Sequence, residues 1–311
     1  MWGRTARATA ARSRGCSAAL GITVAGATAV KYLLGAPSCT KPSCCEAGAS
    51  FSSSEFRAFR VVEVRQVNHD SKVLKCALPS PQHVMGMSVS SAVLVKGAAT
   101  SDGAPAPCRP YTPISTDDQK GCFELLVKGY PTGLVSKHLC SLRAGDTVEV
   151  KGPLQKLMYT ANMKKHIGMV AGGSGITPML QVLKEALKNP NDTTKFTLIF
   201  GNQTPEDILL RVQLKELEVS SQGRLQVIFL VDKNPTGDMG VHHVGYLTSE
   251  LAKSKLPPPS SDTLIYVCGP PGMMKAVSGP KKFEKGKPPS QGEVDGILKS
   301  LGYTEDMVYK F

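Results

Sequence analysis

Short runs of alternating hydrophobic and polar residues fill the chain from Phe56 to about Gly152. They read FRAFRVVEVRQV, KVLKCAL, SAVLVKGA, GCFELLVKG and DTVEVKG. β-Branched residues are common in these runs, and Gly and Pro separate them at irregular spacing, which is typical of an antiparallel barrel or sandwich. We therefore predict an antiparallel β-barrel domain over residues 55–160.

A different pattern follows His166. The runs IGMVAGG, TKFTLIFGNQ, RLQVIFLVD and TLIYVCGPP are continuously apolar, and the helical patterns TPMLQVLKEALKN and TPEDILLRVQLKELE separate the first three of them. This alternation predicts a parallel sheet covered on both faces, so we assign an α/β domain to residues 161–311. Ligands of such sheets bind at the carboxyl ends of the strands. There the sequence places Gly172–Gly175, Gly201–Gln203, Asp232 and Cys268–Pro271.

The first 36 residues have a composition of their own. They contain four arginines and no acidic residue, which is typical of a mitochondrial transit peptide. Cys16–Ala36 is an apolar stretch, interrupted once by Lys31, that is long enough to span a bilayer. We predict a mitochondrial targeting and membrane-anchor segment over residues 1–36 and a linker over residues 37–54. A cleaved matrix presequence, a secretory signal and an unstructured tail are the alternatives.

Charge and cysteine content argue against a nucleic-acid-binding protein and against a metal protein. Half of the net charge of +12 belongs to residues 1–60, so the rest of the chain is only mildly basic. That balance suits an acidic protein partner, and without a nucleic-acid-binding motif it argues against a nucleic-acid partner. The nine cysteines show neither a disulfide framework nor zinc-site spacing, so we expect no metal site. Cys39, Cys44 and Cys45 are predicted to be solvated linker thiols.

The barrel half holds two motifs that suit a ligand with phosphates. In CRPYTPIS, Arg109 offers paired donors for a phosphate, and Tyr111, two residues on at strand spacing, presents a ring on the same side. In KGYPTGLVSKHL, Gly133 allows a bend, and Ser136 can cap a helix whose first N–H groups face an anion. The alternatives are an ordinary surface strand and an ordinary helix cap.

The α/β half holds three further candidates. GGSGITP (Gly172–Pro178) follows a strand and opens a helix, where glycines permit close approach of a ligand. Asp232 ends the third apolar strand, where a carboxylate accepts from ribose hydroxyls and repels a 2′-phosphate; a turn Asp is the alternative. Cys268 ends the last apolar strand, where its thiol faces any ligand above the sheet; a buried inert Cys is the alternative.

Four motifs follow one another between about Phe56 and Phe311. They are RPYTPIS, GGSGITPM, FGNQTPEDILLR and CGPP. With this order the chain resembles the NADH–cytochrome b5 reductase family, within the ferredoxin–NADP reductase-like flavoenzymes. The leader and the ending GEVDGILKSLGYTEDMVYKF are most similar to the fungal-type mitochondrial form of that family.

The resemblance implies an NADH-dependent flavin oxidoreductase with FAD and NADH as cofactors. It implies hydride transfer to FAD and single-electron transfer to cytochrome b5 or a similar acidic haem protein. The FAD-binding residues it implies are Arg109, Pro110, Tyr111, Thr112, Ser115, Leu126, Lys128, Tyr130, Gly133, Leu134, Val135 and Ser136. The NADH-binding residues it implies are Gly173, Thr177, Gln203, Asp232, Cys268, Gly269 and Pro270, with catalytic roles for Thr112, Thr177 and Cys268.

The electron acceptor and the class of protein have alternatives. The same chemistry could serve a quinone, a desaturase chain or a nitrate reductase-like module, and a catalytically silent anchored binding module is the alternative outside enzymes. Lys128, Lys137, Lys164 and Lys165 are candidate contacts for an acidic cytochrome. We expect a monomer anchored in mitochondria, at the outer membrane or in the intermembrane space. His242 and His243 have no family role and are predicted to be a surface pair.

Overall fold

The computed structural model describes residues 48–99, 104–283 and 289–311. The predicted targeting segment, and Cys39, Cys44 and Cys45 of the predicted linker, lie outside the described residues. Within the described ranges, no helix is both long enough and apolar enough to cross a membrane.

The first half is a six-stranded antiparallel sheet with one helix. Its elements are β1 (Arg57–Gln66), β2 (Ser71–Ala77), β3 (Ser91–Lys96), β4 (Cys108–Tyr111), β5 (Cys122–Lys128), α1 (Leu134–Ser141) and β6 (Thr147–Gln155). In space the strands follow the order β4-β3-β6-β1-β2-β5. Beyond β4, the Ile114 amide donates to the Glu124 carbonyl at 2.9 Å. This bond joins the two edges of the sheet, which closes it towards a barrel.

The second half is a six-stranded parallel sheet with helices. Its elements are β7 (His166–Gly172), α2 (Ile176–Lys188), β8 (Lys195–Asn202), α3 (Arg211–Ser220), β9 (Leu225–Val231), β10 (His243–Val244), α4 (Ser249–Lys255), β11 (Thr263–Cys268), α5 (Pro271–Val277), α6 (Gly296–Ser300) and β12 (Val308–Lys310). The strand order is β10-β9-β8-β7-β11-β12. The predicted fold class, an antiparallel barrel followed by a parallel α/β sheet, is confirmed.

One predicted helix is wrong. The run TPEDILLRVQLKELE forms a 3₁₀ turn at Pro205–Asp207 and then the separate helix α3. Thr204 and Asp207 close a capping box around the 3₁₀ turn, and Leu210 takes a left-handed conformation with φ of 57°. A left-handed residue cannot continue a right-handed helix. The periodicity was continuous, but these two local features interrupt the helix.

The two halves share a hydrophobic core. Val73, Ile114 and Leu126 of the barrel belong to the same buried cluster as the side chains between β7, β8 and α2. The barrel also has a core of its own, in which Phe51, Phe59 and Phe123 meet edge to face with ring centroids 5.0 to 5.3 Å apart. Because the first cluster spans both halves, the position of one half constrains the other.

Candidate active site

A cleft of about 280 Å³ lies across the carboxyl ends of β7, β8, β9 and β11. Parallel strands end at one edge of their sheet, so residues distant in sequence converge there. The strand ends contribute Gly172, Gly173, Gly201, Asn202, Gln203, Asp232 and Pro270 to its lining. The barrel contributes Lys128 and Tyr130. The cleft therefore forms where the two halves meet.

The turn between β7 and α2 requires close backbone approach. Gly173 has a φ of +52°, a left-handed conformation that glycine adopts without strain. A Cβ on Gly175 would lie 2.2 Å from the Cys268 carbonyl oxygen, so only glycine lets this turn pack against the end of β11. The buried Thr177 hydroxyl donates to the Ser174 carbonyl at 3.2 Å. The predicted residues Gly173, Thr177 and Cys268 thus lie around one turn.

Asp232 is exposed just beyond the end of β9. Its amide donates to the Asn202 carbonyl at 3.0 Å, which fixes its position beside β8. Desolvation raises the pKa of the Asp232 carboxyl, the Asp207 carboxylate raises it further, and Lys233 opposes both. The ring of Tyr246, which is 78% exposed, lines the same cleft. A carboxylate and a flat ring at one rim suit the hydroxyls and base of a nucleoside.

Cys268 ends β11 and is followed by Gly269 and Pro270. Burial raises the pKa of the Cys268 thiol to about 12, so the thiol is neutral at physiological pH. Met273 of α5 packs on this turn, where a Cβ on Gly269 would lie 2.5 Å from its methyl carbon. Only the thiolate is a nucleophile, so a neutral thiol at Cys268 argues against covalent chemistry there.

Arg109, Pro110 and Tyr111 follow one another on the edge strand β4. Arg109 and Pro110 are exposed, and one guanidinium nitrogen of Arg109 donates to the Cys108 carbonyl at 2.8 Å. Tyr111 is half-buried, and burial raises the pKa of its hydroxyl to about 12. The strand therefore presents a permanent cation and a neutral ring on the barrel surface.

Thr112 and Ser115 are buried where the barrel closes. The Ser115 hydroxyl accepts from the Glu124 amide at 3.0 Å, next to the bond between Ile114 and Glu124. Ser115 therefore holds the motif CRPYTPIS against β5. This contact is structural, and the cofactor role of Ser115 stays a prediction.

β5 and the residues after it connect the barrel to the cleft. Leu126 is fully buried in the shared core, whereas Lys128 and Tyr130 reach the cleft. The Tyr130 hydroxyl lies 3.2 Å from the Ser174 hydroxyl of the α/β half. Two elements predicted to bind different cofactors thus meet within hydrogen-bond distance.

Lys128 belongs to a group of charges between the halves. Its ammonium lies 2.5 Å from Asp70 and 3.6 Å from Asp207, and its side chain is 12% exposed. Burial raises the pKa of the Asp70 carboxyl, but hydrogen bonds from Lys128 and Ser71 outweigh this and leave it below its ordinary value. An ammonium already occupies the space between the carboxylates, so this group suits an ion pair better than a metal ion.

The start of α1 differs from the prediction for Ser136. The N-cap is Gly133, and Ser136 lies inside the first turn, where its hydroxyl donates to the Gly133 carbonyl and accepts from the Tyr130 amide. A Cβ on Gly133 would lie 2.2 Å from that hydroxyl, so any other residue there would displace the Ser136 side chain. Leu134 is exposed and Val135 is buried. The first N–H groups of α1 are still the predicted donors to a phosphate.

Three polar side chains of the cleft had no assigned role, namely those of Asn202, which fell within the noted range Gly201–Gln203, and of Asp207 and Tyr246. Asn202 and Asp207 lie in the noted motif FGNQTPED, of which only Gln203 was assigned. Both are buried, and among the described residues neither polar side-chain atom of Asn202 has a hydrogen-bond partner. Their position at the end of an apolar strand was the available signal. Tyr246 follows the short strand β10, which the sequence did not reveal.

Comparisons with known proteins agree with this architecture. The family profile described as "Oxidoreductase FAD-binding domain" matches residues 58–159, and "Oxidoreductase NAD-binding domain" matches residues 169–279. An Arabidopsis thaliana "NADH-cytochrome b5 reductase-like protein" is 46% identical over 258 residues, which is 81% of this chain and 76% of the relative. "NADH-cytochrome b5 reductase 2" of Pyricularia oryzae is also 46% identical, over 82% of this chain and 76% of the length of that relative.

The chain belongs to the NADH–cytochrome b5 reductase family. Among solved structures, the cytochrome b5 reductase domain of Ulva prolifera nitrate reductase is similar, with a TM-score of 0.71 and 28% identity over 85% of this chain and 99% of that one. As a family member, the protein is an NADH-dependent flavin oxidoreductase that uses FAD.

The residues present fit FAD. The exposed guanidinium of Arg109 suits a pyrophosphate, and the neutral, half-buried ring of Tyr111 suits an isoalloxazine face. The first turn of α1 adds N–H groups for phosphate. Of the predicted FAD residues, Lys128 and Tyr130 line the cleft, and Arg109 and Pro110 are exposed on β4. Five others are buried: Thr112, Ser115, Leu126, Val135 and Ser136.

Proposed function

We propose that this protein passes electrons from NADH, through FAD, to cytochrome b5 or a similar acidic haem protein. The observation that carries the proposal is the shared cleft, in which Lys128 and Tyr130 of the barrel lie beside the strand ends of the α/β half. A flavin on the barrel and NADH on the strand ends would share that cleft. The names of the relatives support cytochrome b5 as the acceptor.

In this proposal the barrel residues hold FAD. Arg109 binds the pyrophosphate, Tyr111 packs on the flavin ring, and Pro110 and Thr112 shape its edge. Gly133, Leu134, Val135 and Ser136 bind phosphate at the start of α1. When bound, FAD accepts a hydride and releases its two electrons singly. The protein aligns the two rings and excludes water from the space between them.

The α/β residues hold NADH in the same proposal. Gly173 allows close approach of the dinucleotide, and Thr177 and Cys268 border the nicotinamide. Gln203, Gly269 and Pro270 form the walls, and Asp232 accepts from a ribose at the adenosine end. Because the Cys268 thiol is neutral, its part is to align the nicotinamide rather than to move a proton.

The first experiment is an anaerobic titration of the full chain with NADH and then NADPH. We expect a yellow protein whose visible absorbance is bleached by NADH and much less by NADPH. Oxidised cytochrome b5 added next should show the haem bands of its reduced form. A colourless protein that takes up no FAD would favour the silent binding module, and bleaching without haem reduction would favour a different acceptor.

Of the four candidate lysines, we assign the contact with the acidic acceptor to Lys137, which is exposed on α1. Lys164 and Lys165 precede β7, at the sheet edge opposite the cleft, where they bind the Ser261 carbonyl at 2.5 Å and Asp262 at 2.6 Å. Lys137→Glu should slow cytochrome b5 reduction several-fold at low salt and leave ferricyanide reduction unchanged. Lys165→Glu is the matched control, and equal effects of both variants would refute the assignment.

We also propose that residues 1–36 anchor the protein in mitochondria, at the outer membrane or in the intermembrane space. Four arginines without acidic residues and the apolar stretch Cys16–Ala36 support this. After carbonate extraction of isolated mitochondria, the full chain should remain in the membrane fraction. Release of the protein by carbonate, or its absence from mitochondria, would contradict the proposal.

A further inference from the structure

Helix α2 connects the NADH turn to the barrel. Its first turn contains Thr177, while Gln181, Lys184 and Lys188 lie on one face at spacings of three and four residues. Each of these three contacts the barrel region. The Ser91 amide donates to the Gln181 side chain at 3.1 Å, the Lys184 ammonium donates to the Ile114 carbonyl at 2.5 Å, and Lys188 lies 3.7 Å from Asp118.

The contact of Lys184 falls on the closure of the barrel. Ile114 belongs to the motif CRPYTPIS, and its amide donates to the Glu124 carbonyl at 2.9 Å. The Glu124 amide in turn donates to Ser115 at 3.0 Å. We call these three residues, Ile114, Ser115 and Glu124, the seam. Lys184 therefore binds the seam at a residue only three positions from Tyr111.

The Lys184 ammonium is partly buried near two carboxylates of the barrel. Desolvation lowers the pKa of its ammonium, and the barrel carboxylates Glu124 and Asp118 oppose this. A partly buried ammonium bound to a neutral carbonyl adds little net stability, because its desolvation offsets the bond. The contact joins an ammonium on α2 to the Ile114 carbonyl of the seam at 2.5 Å, beside the apolar packing of Ile114 in the shared core.

We propose that Lys184 is a positioning residue that sets the separation between the nicotinamide and flavin sites by joining α2 to the seam of the barrel. The inference rests on the proposed roles of Thr177 and Tyr111 in those sites. Hydride transfer requires ring contact at about 3–3.5 Å, and misplacement by about 1 Å lowers the rate strongly. α2 carries Thr177 at one end, so a shift of α2 against the seam changes that separation directly.

The test compares Lys184→Met, Lys184→Arg and Lys188→Met in the full FAD-loaded chain. Methionine keeps the length of the side chain and removes the donor, whereas arginine restores a donor to the same carbonyl. Lys188 lies one turn further on the same face but pairs with exposed carboxylates, so Lys188→Met is the matched control. We would measure FAD content, the dissociation constant of NAD⁺, the change that NAD⁺ causes in the flavin absorbance, and the single-turnover rate of flavin reduction.

For Lys184→Met we expect unchanged FAD content and an NAD⁺ dissociation constant within about twofold of the wild type. The flavin absorbance change on NAD⁺ binding should be reduced, and flavin reduction should be slowed about tenfold. Lys184→Arg should recover most of the absorbance change and most of the rate of flavin reduction. Lys188→Met should match the wild type. A normal rate and absorbance change in Lys184→Met would overturn the proposal.

Loss of FAD or of thermal stability in Lys184→Met without recovery in Lys184→Arg would also overturn it, in favour of a purely structural role. Failure of the proposed function looks different, because NADH would then not bleach the wild-type flavin.

Discussion

In the barrel, Arg109 and Pro110, which are assigned to FAD, are exposed on the edge strand β4, whereas in the α/β half Thr177, which is assigned to NADH, is buried just beyond the end of the central strand β7. Arg109 is exposed, with one guanidinium nitrogen bound to the neighbouring carbonyl of Cys108. Gly175 and Thr177, by contrast, are packed in the interior. We infer that changes on the barrel side cost cofactor affinity, and that changes at the strand ends first cost geometry and folding.

The largest effect is expected for Gly175→Ala, which tests the packed side of this comparison. A Cβ there would lie 2.2 Å from the Cys268 carbonyl oxygen and 3.0 Å from the Gly269 amide nitrogen, and backbone atoms cannot move aside cheaply. We expect loss of thermal stability together with NADH-dependent flavin reduction. Gly272→Ala is the control, because among the described residues nothing outside its own helix lies within 4 Å of its Cβ position. A stable, active Gly175→Ala protein would contradict the assigned close approach.

Arg109→Ala tests the exposed side. The variant removes a charged contact to pyrophosphate worth about 1.5–3 kcal/mol, while the fold loses almost nothing because the side chain is exposed. We expect the FAD dissociation constant to rise about tenfold or more and the thermal unfolding of the apoprotein to stay the same. Fluorescence of released flavin measures the dissociation constant, and calorimetry measures the thermal unfolding. Full FAD occupancy in dilute solution would refute the assigned role.

Asp232→Ala tests an intermediate case, because Asp232 is exposed but follows a buried strand end. Removing the carboxylate removes repulsion of the 2′-phosphate of NADPH and an acceptor for the ribose of NADH. We expect the ratio of kcat/KM for NADPH to that for NADH to rise about tenfold, with unchanged stability. Steady-state rates with both nucleotides give this ratio, and an unchanged ratio would place specificity at other residues.

The smallest effect is expected for Cys268→Ser. Because the thiol aligns the nicotinamide, flavin reduction should slow a few-fold while the NADH dissociation constant hardly changes. The wild-type rate should show no thiol titration between pH 6 and 10, since burial raises the thiol pKa to about 12. Loss of NADH affinity alone would contradict the alignment role.

The same thiol has a consequence for stability at alkaline pH. The folded protein keeps the proton to about pH 12, whereas the unfolded thiol releases it near pH 9. The stabilisation from the neutral buried thiol is therefore complete below pH 9 and is lost as the pH rises above it. The wild type should lose more stability than Cys268→Ser between pH 9 and 11, as measured by chemical unfolding.

Much of the site was visible in the sequence because its residues follow strands. An apolar run that ends in glycine or a polar residue marks a carboxyl edge, and this placed Gly173, Asp232 and Cys268 at one edge of the sheet. The helix break at Leu210 and the N-cap at Gly133 were not visible, because both depend on local backbone angles rather than on periodicity.

Hydrophobic periodicity by itself determined the two kinds of sheet, their order along the chain and the edge at which ligands bind, because burial of apolar faces depends on local pattern. Only the tertiary structure brought Lys128 between Asp70 and Asp207, Tyr130 beside Ser174, and Lys184 onto the Ile114 carbonyl. These contacts join residues 44 to 79 positions apart along the chain. Such pairs form when two cores pack against each other, and no pattern of neighbouring residues specifies them.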